Sequence, residues 1–336
     1  MAEVDKLREI EKPLILHHWD TDGICSAAMI IKFLENVPAE SMVPRIGMYS
    51  LSEDEFRQIR QGGYDSIILA DLALPEKDYD RLVRLGPEIW IFDHHVKDRR
   101  EDLHQINPVA RGSPPDDYPS ATWVLHECLG TPLDLPTVLG AIGDKEEMIR
   151  QSPTYASVQE YMESSGLSFD VLLRICALID SSYRVGDVSG IENAVSFVIN
   201  HDNDPSALLT NETWIRNDER VSRAIEAEEK AAGTPAGDTM LHHFSSDLDI
   251  VSAVSRKLTV MKGVRTSVVI QTGFFPEYDR VYVRTSDYGL DLKPILEMAK
   301  GRGHVSGGKK EVVGTVVPVE NTEEYLNDTL RLLGAS

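Results

Sequence analysis

Three short apolar runs near the N-terminus each end in Asp or His, and helical patterns separate them. Residues 13–18, Pro-Leu-Ile-Leu-His-His, read as a buried strand entering a loop. Residues 23–35 read as a helix with Ile24, Ala27, Ala28, Ile31 and Leu34 along one face. A strand over 43–49 and a polar helix over 52–60 follow, then a strand over 66–71, a helix over 76–85 and a strand over 88–92. Strands alternating with helices at this pitch build βαβ units and a mostly parallel sheet. In such sheets ligands bind beyond the carboxyl ends of the strands. The runs ending near Leu16, Ala70 and Phe92 therefore deliver their charged residues to one lip.

From about Ser120 the pattern turns helical, and residues 136–149 carry a further acidic residue, Asp144, just after Gly143. Residues 152–232 read as largely helical with a break over 200–205. The charged stretch 212–230 runs into Ala-Ala-Gly-Thr-Pro-Ala-Gly, the composition of a helix followed by a flexible joint. A second domain is expected from about Asp238. It contains a helix over 251–261, strands over 267–272 and 280–285, a helix over 292–300, a glycine-rich turn and a strand over 311–318. The expected fold is α/β, with a parallel-sheet domain over 1–204, a helical linker over 205–236 and a smaller α/β domain over 237–336 across a groove.

Composition narrows the functional classes. The chain has 336 residues and a net charge of −21, from 34 basic and 55 acidic side chains. Grip on long duplex rests on basic side chains that release counterions, so this charge favours short or small phosphate substrates, or a local basic groove. No apolar run approaches the roughly 20 residues of a membrane span, and the charged opening MAEVDKLREIEK lacks the apolar core of a signal peptide. The cysteines Cys25, Cys128 and Cys176 are widely spaced in apolar stretches, which points to reduced thiols and a cytoplasmic protein.

The clusters at the lip are His18-Trp19-Asp20-Thr21-Asp22-Gly23, Leu69-Ala70-Asp71 and Phe92-Asp93-His94-His95. Carboxylates gathered there repel one another and raise one another's pKa, and cations relieve that repulsion. Carboxylate oxygens mixed with imidazoles suit manganese, iron, cobalt or zinc better than calcium. Two ions about 3.5–4 Å apart are the common device for clamping the attacking and leaving oxygens of a phosphoryl group.

His-x-Asp-x-Asp-Gly, a lone Asp after an apolar strand, and then Asp-His-His together resemble the DHH phosphoesterase superfamily. Leu139-Gly140-Ala141-Ile142-Gly143-Asp144 is similar to a fourth element of that family, and Gly301-Arg302-Gly303-His304-Val305-Ser306-Gly307-Gly308 resembles the glycine-rich turn of the DHH-associated substrate domain. RecJ-like and oligoribonuclease-like members, particularly stand-alone archaeal ones, look most akin. The resemblance implies that His18 and Asp20 bind one metal, that Asp22, His94 and Asp144 bind another, and that Asp71 bridges them. It implies that Asp93 orients a histidine and that His95 faces the scissile phosphate or leaving group. Two manganese ions are expected, with magnesium or cobalt as alternatives, activating a water for attack on phosphorus.

In the second domain the resemblance makes Arg284, Arg302, Gly303, His304 and Gly307 the substrate contacts. The arginines would clamp phosphate, and the glycines would let backbone N–H groups approach it. Lys300, Arg302, Lys309 and Lys310 form a local basic cluster. Arg302 stands where the family has a glycine, and Ser306 or Gly307 where it has an alanine. Trp19 and Tyr282 are open to stacking on a base or to packing, and Asp180 and Asp187 carry no functional reading.

The resemblance implies a phosphodiesterase that removes nucleotides from an end of single-stranded or short oligonucleotides. Its alternatives are hydrolysis of a linear or cyclic dinucleotide, inorganic pyrophosphatase or polyphosphatase activity, and a non-catalytic replication or repair adaptor. All six ligand positions carry ligand-type residues, which weighs against the adaptor. The expected partners are single-stranded nucleic acid and a replication or repair protein, with no membrane; a dimer is one option for the assembly.

Overall fold

The computed structural model describes residues 4–35, 37–231, 233–261, 264–287, 289–309 and 311–335. The chain divides into two compact units, Met1–Tyr183 with Asp187–Asn217, and Arg184–Gly186 with Asp218–Ser336.

The first unit is built on five parallel strands: β1 (Pro13–His17), β2 (Glu40–Met42), β3 (Ser66–Ala70), β4 (Glu88–Phe92) and β5 (His104–Ile106), in the order β2-β1-β3-β4-β5. Every residue of β1 and β3 is buried, as continuous apolar strands covered on both faces must be. Leu14, Leu16, Ile67, Leu69, Ile89 and Ile91 pack against Phe56 and Ile59 of the helix Glu53–Gly62 and Tyr79 and Leu82 of the helix Glu76–Leu85. Truncating one such fully buried aliphatic side chain to Ala costs about 2–5 kcal/mol.

The helix Thr21–Leu34 is buried at every position from Thr21 to Ile30 and packs against the helices Ala121–Leu129, Leu135–Lys145 and Val188–Asn200. It is an interior helix, which explains its run of small and apolar residues.

Among the described residues the second unit holds six strands: β6 (Thr234–Ala236), β7 (Thr239–Ser245), β8 (Thr266–Thr272), β9 (Tyr278–Thr285), β10 (Val305–Lys309) and β11 (Val312–Pro318). Their order is β10-β11-β9-β8-β7-β6, and every pairing is antiparallel except β7 with β8. Val268, Ile270, Val281 and Val283 face the helices Lys293–Gly301 and Thr322–Leu332, whereas Val269 joins Phe244, Leu248, Val251 and Val254 on the opposite face. That alternation is the strand period of two applied to a sheet covered on both sides.

Four local expectations change. The strand expected over 43–49 lies instead at Glu40–Met42. Pro44 cannot donate to a ladder, and Gly47 turns the chain at φ 77° with Met48 N–H bonded to the Arg45 carbonyl at 2.9 Å. The glycine-rich turn is only partly a turn, because residues from Val305 onward form β10. The helix expected over 251–261 is α-helical only to Arg256 and continues as a π-helical turn, Lys257–Met261. Strands β5, β6 and β7 and the helix Thr322–Leu332 were not expected at all. Among the described residues no helix is long and apolar enough to cross a membrane.

Candidate metal centre

Strand register builds the site. His17 of β1 lies opposite Ala70 of β3, and Ala70 opposite Phe92 of β4, so the strands end in one row. The residue after each strand emerges at the same lip, and the ladder runs one step further. His18 N–H donates to the Ala70 carbonyl at 3.2 Å, Asp71 N–H to Phe92 at 2.9 Å and Asp93 N–H to Ile106 at 3.2 Å.

After β1 the chain turns directly into a helix. Asp20 caps it, its Oδ1 accepting from Gly23 N–H at 3.1 Å. The turn is so tight that a side chain at Gly23 would collide with the His18 backbone. Asp22, in the first helical turn, accepts from Ala121 N–H at 2.7 Å and Thr122 N–H at 3.0 Å, two donors at the N-terminus of the helix Ala121–Leu129. Helix N-termini favour an anion in this position. Gly140 lets the helix Leu135–Lys145 approach, since a Cβ there would sit 2.6 Å from Asp22 Oδ1. That helix carries Asp144 in its last turn.

Asp71 takes a left-handed backbone conformation, φ 55°. A non-glycine residue held there is strained, and such strain concentrates at functional sites. Its carboxylate lies 3.7 Å from His18 Nδ1 and 3.5 Å from His94 Nε2. His18 Nδ1 also lies 2.9 Å from Asp20, and His94 Nε2 3.9 Å from Asp22. His94 Nδ1 faces the Tyr118 carbonyl at 3.2 Å, which fixes the ring and aims Nε2 at the carboxylates. Asp93 organises the adjoining turn, accepting from His94 N–H at 2.9 Å and pairing with His95 Nδ1 at 2.7 Å. Asn107 closes this turn by donating to the His95 carbonyl at 2.9 Å.

Electrostatics expose the strain of so many carboxylates. Burial, and then the charges of Asp22, Asp20, Asp144 and Asp93, push the Asp71 carboxyl well above its usual range. Burial and the charge of Asp20 raise Asp22 to about 7, against the pull of the Thr122 and Ala121 amides. Burial would also raise Asp20, but the charge and hydrogen bond of His18 outweigh it and hold Asp20 at about 2. Burial acts on Asp93 in the same sense, yet His95 overcomes it and draws that carboxyl well below its usual range.

Among the described residues two sets of donors converge within 4.8 Å: His18, Asp20 and Asp71, and Asp71, His94 and His95. Asp71 belongs to both, and its Oδ1 is buried with no hydrogen-bond partner among the described residues. Mixed carboxylate and imidazole donors around such an atom fit transition-metal binding. His95 completes the second convergent set. His17 lies outside both sets; it is fully buried, and its Nδ1 contacts the His18 carbonyl at 2.7 Å. Trp19 is also buried, its ring centroid 4.1 Å from that of His18.

The sequence residues expected to meet substrate lie in the second unit. Arg302 pairs with Asp328 and, at 3.3 Å, with Glu324. Gly303 has φ 75°, and the N–H groups of Arg302, Gly303 and His304 bond to the carbonyls of Met298, Lys300 and Ala299. Those amides end the helix Lys293–Gly301. His304 has its pKa lowered by burial and by Arg302, and its ring meets Tyr325 edge-on at 5.6 Å. Gly307 lies in β10, an edge strand. Arg284, in β9, is two strands away and donates to Ser255 Oγ at 3.2 Å. Lys310 falls outside the described residues.

The model of the DHH family, N-terminal domain, matches residues 12–129. These residues form a DHH-family domain. A RecJ from Thermus thermophilus in complex with Mn²⁺ has the same fold at 16% identity and a TM-score of 0.70, over 98% of this chain and 53% of that one. The present chain thus spans about half of that RecJ. The DHH domain of a protein described as a member of a family of ribosomal proteins matches at 18% identity and TM-score 0.72, over 99% and 88% of the two chains. A pGpG-specific phosphodiesterase from Vibrio cholerae matches at 13% identity and TM-score 0.50, over 97% and 100%. No curated protein matches by sequence.

Several participants in the site escaped sequence reading. Asn107 and the Tyr118 carbonyl fix the two histidines, and Asp180 grips Thr21 from 159 residues away. Ser120 was the one available signal, as a capping residue before an apolar helix.

Proposed function

We propose that this chain is a metal-dependent phosphodiesterase that removes nucleotides from an end of single-stranded or short oligonucleotides, as an exonuclease or oligoribonuclease. The observation that carries the reading is Asp71, buried, backbone-strained and shared by two sets of carboxylate and imidazole donors. Phosphoester hydrolysis needs a site that gathers anionic oxygens, and a cluster already short of cations supplies it once metals bind. The family match over residues 12–129 and the RecJ fold support the same chemistry.

His18, Asp20, Asp22, Asp71, His94 and Asp144 would hold two ions, manganese first among the candidates, with magnesium or cobalt as alternatives. Bound metals supply charge that lowers the pKa of water and offsets charge developing on the phosphoryl oxygens. Asp93 keeps the His95 ring oriented through Nδ1, so that Nε2 is the atom that turns toward the leaving group. His95 is 44% exposed at its side chain, as a group that meets a substrate must be. A net charge of −21 supports short substrates over long polymers.

End-labelled RNA and DNA from two to about twenty nucleotides, incubated with Mn²⁺ and resolved by length, test the reading. Stepwise release of mononucleotides, abolished by EDTA, is expected. Cleavage of dinucleotides alone would redirect the assignment to signalling dinucleotides, and no cleavage at any length would contradict it.

A further inference from the structure

We infer that Asp180 and Thr21 form a clamp that sets the spacing of the metal ligands, with Asp180 acting as a positioning residue through Thr21. The inference rests on the metal-centre reading above and goes beyond the ligand set. Thr21 lies between Asp20 and Asp22, and its hydroxyl is turned to the helix Phe169–Arg184. Asp180 Oδ1, in that helix, accepts from Thr21 N–H at 2.8 Å and from Thr21 Oγ1–H at 2.6 Å. The Cys176 carbonyl, one helical turn earlier, is 3.1 Å from the same hydroxyl. On another side Thr21 meets the helix that carries Asp144, where a Cβ at Gly143 would stand 2.9 Å from the Thr21 Cβ.

Thr21 is therefore fixed at three points: by Asp180, by the Cys176 carbonyl and by the bare backbone of Gly143. Each constraint bears on the single residue that separates Asp20 from Asp22, and one of them bears directly on the turn before Asp144. A carboxylate at the N-terminus of the helix Thr21–Leu34 also complements its dipole. Asp20 already caps this helix through Gly23 N–H, so the terminus does not need Asp180 for capping alone. The second carboxylate makes sense as a means of stopping the first turn from yielding when like-charged Asp20, Asp22 and Asp71 repel each other.

The test is calorimetric titration of Mn²⁺ into wild type, Asp180→Ala, Asp180→Asn and Asp187→Ala, with metal-free thermal melts of each. Asp187 caps the helix Val188–Asn200 by accepting from Gly190 N–H at 2.9 Å and serves as a structural control outside the donor set. Asp180→Ala should weaken Mn²⁺ binding by about 10–100-fold, the effect typical of groups that orient metal ligands. Asp180→Asn, which keeps an oxygen acceptor, should recover most of that loss, and Asp187→Ala should melt lower with its Mn²⁺ affinity unchanged.

Equal affinity in wild type and Asp180→Ala overturns the clamp while leaving the metal centre standing. A loss in Asp187→Ala as large as in Asp180→Ala, or no recovery in Asp180→Asn, also overturns it. Wild type that binds no Mn²⁺ overturns both readings. If Asp180→Ala does not fold, Thr21→Val and Thr21→Ser decide the matter. Weakened binding in the first but not the second supports the clamp, and equal binding in both removes it.

Discussion

The two units treat charge in opposite ways. In the second, Arg280 is matched with Asp249 in the interior and Arg302 with Asp328 at the surface. In the first, Asp22 and Asp71 are buried among further carboxylates, and that repulsion adds to burial in lifting both pKa values. Unpaired buried charge is costly, so a fold that keeps it at a strand lip does so for a ligand of opposite sign. Among the described residues the matched unit holds no comparable cluster. On the proposed function its edge strand and basic turn have the lesser task of holding substrate.

The sharpest way to break this contrast is Asp71→Asn. Losing the residue common to both donor sets should lower turnover by more than the roughly 100-fold upper effect of groups that merely orient ligands. The melting temperature without metal should rise, because a buried carboxylate surrounded by like charge is removed. Turnover within a few-fold of wild type would erase the distinction between the units.

A smaller effect follows from Asp22. Its carboxyl titrates near 7 when folded against 3.8 ordinarily. The metal-free folded state therefore binds more protons than the unfolded chain between about pH 4 and 7, and the Asp22 contribution to stability falls as pH rises through that window. Asp71, also raised, extends the fall in the same direction. Metal must displace these protons, so the rise in melting temperature on adding Mn²⁺ should be larger at pH 8 than at pH 5. His17, lowered to about 4 by burial, works in the opposite sense between 4 and 6.5. It contributes with and without metal and cancels in the difference. An Mn²⁺ shift independent of pH would mean that the raised carboxyls do not face the ion.

The smallest effect belongs to the matched unit. Arg302→Ala should raise KM severalfold and leave kcat unchanged, since an exposed ion pair and a single phosphate contact are each worth about 1 kcal/mol. A fall in kcat instead would place Arg302 in the chemistry and undo the division of labour.

The metal lip was legible because five-residue apolar runs are unambiguous strands and each ends abruptly in Asp or His. The register that aligns Ala70 with His17 and Phe92 then follows from the parallel sheet. Strand β2 was misplaced because Val43 and Ile46 look strand-like, whereas Pro44 and Gly47 break the ladder. Strand β5 is only three residues long, too short for any periodicity. In β7, Thr239 and Phe244 are buried but His243 and Ser245 are exposed, and the adjacent histidines of that strand hide the alternation. The helix Thr322–Leu332 buries just Tyr325 and Thr329 fully, a weak apolar stripe. Asp180 could not be read at all, because its role exists only where the chain returns to Thr21.

The most direct test is a crystal soaked in Mn²⁺ and measured at the manganese absorption edge. Two anomalous peaks about 3.5–4 Å apart, with Asp71 between them, His18 and Asp20 on one and His94 on the other, are predicted. Peaks elsewhere, or none beside Asp71, would contradict the two-metal centre.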